Sequence, residues 1–186
     1  MTRDELTNRL TRPFRSDFAA SEARRVVAED AVALLYEVAT EPPAALPRLL
    51  RERAAFRAAY ILEYLFFHDP DRFAPYRDRF CRRDFAACTS GGARRHFAKM
   101  MAHLLPQLTL ERATLEPIAE AAAQWAIDPK TRVAVRIWCV EVLKQCRTQC
   151  PWVDEMWEDL ILSLAHEASP AIAARMRNGW RASLQE

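Results

Sequence analysis

Glycine is nearly missing from this chain: 3 of 186 residues, against 32 Ala. Tight strand hairpins and phosphate-cradling loops depend on glycine's backbone freedom, so folds built on them lose their usual material. No C-x-x-C pair occurs among the five Cys (Cys81, Cys88, Cys139, Cys146 and Cys150), and the count is odd. Neither a disulfide framework nor a zinc ribbon fits that pattern, whereas reduced thiols in the cytoplasm do. The opening Met1-Thr2-Arg3-Asp4-Glu5 has acids where an export signal needs a basic cap and an apolar run, and no stretch reaches about 18 uncharged apolar residues. These features predict a cytoplasmic protein that makes no use of a membrane. Lysine is scarce too, at 3 residues against 24 Arg.

What remains is a chain that is 51% hydrophobic and 28% charged with a net charge of +2, enough for a globular core and too balanced for bulk attraction to nucleic acid. Long 3.6-residue hydrophobic patterns with almost no strict alternation predict an all-α protein. Prolines and small polar caps divide it. Asp69-Pro70, Asp128-Pro129 and Ser169-Pro170 each place an acceptor at an N-cap and Pro at the first helical position, and Pro42-Pro43 and Cys150-Pro151 add further stops. The expected helices cover 21–40, 43–51, 53–68, 70–85, 92–105, 111–127, 129–150, 151–166 and 170–184. Residues 1–20 form a tail or a short helix, since Thr2 and Glu5 have capping-box spacing. Residues 21–186 are expected to form a single domain.

Within that pattern a motif recurs. Phe56-Arg57-Ala58-Ala59, Ala93-Arg94-Arg95-His96, Thr131-Arg132-Val133-Ala134 and Ala171-Ile172-Ala173-Ala174-Arg175 each open a helix, and Arg57, Arg95 and Arg132 lie 38 and 37 residues apart. A period of that size, one helix pair per unit, predicts a short α-solenoid of HEAT/armadillo-like pairs. Small Ala residues permit close helix approach. Val133, Ile137 and Val140 make one apolar stripe and Val135, Trp138 and Val142 a second, as expected of a helix buried on two sides. A terminal unit needs a polar outer face, and Arg175, Arg177, Asn178 and Arg181 supply one on the last helix, which also carries Gly179.

These stretches resemble a family of small HEAT-like helical-repeat proteins found mainly in Bacteroidetes-type bacteria. The likeness rests on Phe56-Arg57-Ala58-Ala59-Tyr60-Ile61-Leu62-Glu63, where the family usually starts with Trp, and on Arg94-Arg95-His96-Phe97. It also rests on Trp125-Ala126-Ile127-Asp128-Pro129 through Val133-Ala134-Val135-Arg136, and on Asp69-Pro70 through Ala74-Pro75-Tyr76. It spans about residues 21–184 and implies the helical-repeat fold without supplying a reaction. Some relatives carry a transferred adenylosuccinate lyase name. That lyase's Ser-rich loop, with its Met-Pro and Lys, has no counterpart here.

No G-x-S-x-G, G-x-x-x-x-G-K-[ST], G-x-G-x-x-G or H-E-x-x-H motif is present, so the common catalytic templates lack support and a non-enzymatic protein is expected. An unfamiliar catalytic site near Glu63, His96 and Arg132 is the enzymatic alternative. Gly91-Gly92 reads as an inter-repeat turn or, less simply, an anion site at a helix start. His96 and His103 share a helix face, as do Cys139, Cys146 and Cys150; both sets read as buried side chains rather than metal ligands, and no metal or cofactor is expected.

The functional signal is the ladder of cations at equivalent repeat positions. The ladder runs through Arg57, Arg94, Arg95, Arg132, Arg136 and Arg175, with Tyr60, Tyr64, His96 and Trp180 available for stacking, and Arg57, Tyr60, Arg94, Arg95, His96, Arg132 and Arg136 are the candidate binding surface on the concave side of the solenoid. The expected partner is a protein or peptide. Nucleic acid, held by a basic stripe as in HEAT-like DNA repair proteins, is the alternative. A purely structural account pairs each Arg with a carboxylate of a neighbouring repeat, Glu63, Asp84, Glu120 or Glu141. Positive charge is mildly concentrated in residues 61–105, with eight basic and five acidic groups, and eight aromatics fall within 60–85.

Overall fold

A computed structural model describes residues 1–13, 17–166 and 169–180. Helices joined by turns and short loops make up the described residues, which include no strand. None of their helices is long and apolar enough to cross a membrane. The chain divides into two compact units, residues 1–100 and 101–186.

In the first unit α1 (Arg3–Thr11) starts on the expected capping box: Glu5 N–H donates to Thr2 Oγ1 at 3.2 Å, and Thr2 N–H donates to Glu5 Oε2 at 2.7 Å. The pattern over 21–40 predicts one helix, but two form, α2 (Phe18–Ala28) and α3 (Val32–Thr40). Asp30, at φ 48°, separates them. Ala31 N–H donates to the Val26 carbonyl at 2.8 Å and Asp30 N–H to Val27 at 3.2 Å, a Schellman stop with Asp where Gly is usual. No Gly or Pro announces that stop, and hydrophobic periodicity runs straight through it.

The opposite correction applies next. Helices expected over 43–51 and 53–68 are one, α4 (Arg48–His68), because Glu52 offers no reason to break. Ala54, Ala55, Ala58 and Ala59 are all fully buried, which lets α1, α2 and α3 approach α4 closely. The expected helix over 70–85 keeps a helical path with changing pitch: α5 (Pro70–Phe73), a 3-10 turn at Ala74–Tyr76, α6 (Arg77–Arg79) and a π turn at Phe80–Asp84. Pro75 accounts for the first change, since it has no N–H to continue the α ladder. The π turn leaves Phe80, Cys81, Asp84 and Phe85 buried together. The helix α7 (Ala93–Leu104) follows, with Ser90 Oγ accepting from Ala93 N–H at 3.3 Å and donating to Glu52 at 2.8 Å.

The second unit holds α8 (Arg112–Ile127) packed along α9 (Val133–Cys146), then α10 (Pro151–Glu155), α11 (Trp157–Ala165) and α12 (Pro170–Arg175), which ends in a π turn at Met176–Trp180. Both expected stripes of α9 lie inside, with Val135, Ile137, Val140 and Val142 buried and Val133 and Trp138 half-buried. Two expectations give way. Helix 151–166 breaks at Met156, and α9 starts four residues later than Pro129, because Asp128 makes a turn, accepting from Lys130 N–H at 2.9 Å and Thr131 Oγ1 at 3.2 Å. Proline does occupy the first position of α5, α10 and α12, but neither Asp69 nor Ser169 bonds its helix start through the side chain. The expected reach of the last helix through residue 184, and Arg181 with it, lies outside the described residues.

Candidate functional site

The seven residues expected to line a binding surface separate by chemistry. Arg57 and Arg136 turn inward. Arg57 is 7% exposed, donates to the Leu10 carbonyl at 2.7 Å and to that of Arg12, and sits 5.7 Å from the Phe18 ring. Arg136 is 6% exposed and donates to the Ala126 carbonyl at 2.7 Å. Both close the carboxyl end of an earlier helix, where carbonyls have no partner within their own helix. They are therefore removed from the surface.

Arg94 is half-buried and donates to the Cys88 carbonyl at 3.1 Å. Arg95 and Arg132 are exposed, Arg95 on α7 and Arg132 just before α9. Arg175 meets Glu141 at 3.1 Å and lies over the Trp138 ring at 5.2 Å, an arginine–carboxylate pair of the kind the structural account invokes.

Tyr60 and His96 are brought together, and around them the first unit forms its best-defined polar cluster. His96 is 1% exposed, its ring 5.2 Å from that of Tyr60 and 5.1 Å from that of Phe56. Its Nδ1 lies 2.6 Å from Glu63 Oε2, and Lys99 Nζ lies 2.6 Å from Glu63 Oε1. Burial pushes the Glu63 carboxyl up, but the bonds from His96 and Lys99 outweigh it and hold the group below its ordinary value. Glu63 is thus an anion that only accepts, so His96 carries its proton on Nδ1. Nε2 is buried without a hydrogen-bond partner.

Above this cluster runs an aromatic series on α4. Tyr60 is 37% exposed, Tyr64 half-buried and Phe67 38% exposed, at the i, i+4, i+7 spacing of one helix face. Each ring has a nitrogen-bearing neighbour: His96 for Tyr60, His68 stacked on Tyr64 at 4.1 Å, and Lys99 over Phe67 at 4.6 Å. Phe67 and Lys99 fall outside the expected set. The signal for Phe67 was available as spacing from Tyr60; Lys99 needed the α4–α7 pairing.

A second buried network ties α3 to the π turn. Tyr36 O–H donates to Asp84 Oδ2 at 2.7 Å, and Arg79 and Arg83 each lie 2.8 Å from the Asp84 carboxylate. Burial, then Asp84, raises the Tyr36 hydroxyl's pKa, so it stays a donor. The five thiols are all buried; burial pushes Cys81 up to about 11 and both Cys88 and Cys146 up to about 12. Among the described residues no three His, Cys, Asp or Glu side chains converge as metal ligands.

Compared with protein-family models, with curated proteins and with solved structures, the chain matches none.

Proposed function

We propose that this chain is a non-enzymatic, cytoplasmic binding scaffold, a short α-solenoid of HEAT-like helix pairs that recognises a protein or peptide through exposed aromatic and basic side chains. The recurring register inside each unit supports the repeat. Glu52 meets Ser90, and Glu63 meets Lys99, at separations of 38 and 36 residues; in the second unit Glu116 meets Trp152 and Glu141 meets Arg175, at 36 and 34. Separations near the 37-residue sequence period are what stacked copies of one module produce, each touching its neighbour at equivalent places. The resemblance to the HEAT-like bacterial family points the same way. Buried, protonated thiols suit a reducing compartment.

The observation that carries the binding reading is the partly exposed Tyr60-Tyr64-Phe67 series on α4, together with Arg95 exposed on α7. Aromatic and Arg side chains are the ones that dominate binding energy at protein interfaces. Tethered wild-type protein and an Arg95→Glu/Tyr60→Ala variant, exposed to an extract of the native host with and without nuclease treatment, test it. A protein retained by the first and lost by the second supports the scaffold. Retention that disappears with nuclease, or that both proteins share, overturns it.

A further inference from the structure

We draw no further inference here: the strongest candidate, the partly exposed Tyr60-Tyr64-Phe67 face of α4, carries none because nothing in the structure shows what covers it.

Discussion

The Arg57 guanidinium donates to the Leu10 carbonyl at 2.7 Å across 47 residues of chain, fastening α1 to α4 from inside the protein. Replacing it with Met leaves the Leu10 and Arg12 carbonyls without that donor, and removing a charged partner from a buried hydrogen bond costs about 3 kcal/mol. Arg57→Met should lower the urea midpoint accordingly. Arg95→Ala, at an exposed position, should stay within about 0.5 kcal/mol of wild type.

Glu63 supplies a pH test with a defined sign. Its folded pKa is held below the unfolded value, so its contribution is complete above about pH 4.3 and is lost as pH falls through the lower folded value. Glu63→Gln should cost about 2 kcal/mol near neutral pH. The gap between the two urea midpoints should close as the pH drops below 4. A gap that stays constant from pH 7 to pH 3 would mean that the charge on Glu63 contributes nothing.

Two adjacent glycines should respond in opposite ways. A Cβ on Gly92 would lie 3.0 Å from Phe56 Cβ, an atom fixed to the backbone of α4 that cannot swing aside; Gly91 has nothing within 4 Å. Gly92→Ala should therefore destabilise by about 1–2 kcal/mol through overpacking. Gly91→Ala should be neutral or stabilising by about 0.5 kcal/mol, through reduced freedom of the unfolded chain. Thermal melts of both variants decide the matter.

The stop between α2 and α3 places Asp30 in the left-handed region, which favours Gly. Asp30→Gly should raise stability by about 0.5 kcal/mol. Asp30→Val, with a branched Cβ at positive φ, should lower it by about 1–2 kcal/mol. If both variants melt like wild type, the α2–α3 stop has a different geometry.

Composition and spacing carried the secondary structure a long way. Scarce glycine and 3.6-residue periodicity announced an all-helical chain, Thr2 and Glu5 announced the start of α1, and the proline positions announced the starts of α5, α10 and α12. Where periodicity misled, the cause was a backbone event that leaves the apolar pattern intact: Asp30 adopting positive φ, the π turn at Phe80–Asp84, and the unbroken run of α4 past Glu52. Of the candidate surface, exposed Arg95 and Arg132 and the stacked Tyr60 and His96 were legible as residue types, but their roles were not.

Local sequence determined the helices, because capping, proline and apolar period act over one or two turns. Whether a given arginine faces water or a carbonyl was decided by packing between helices far apart in the chain. Arg57 and Arg95 come from similar sequence motifs, yet one is buried against the end of α1 and the other is exposed. The difference follows from what lies opposite each: an unsatisfied helix terminus stabilises a buried guanidinium, and a position without such acceptors leaves the charge in water, where its hydration costs nothing to keep.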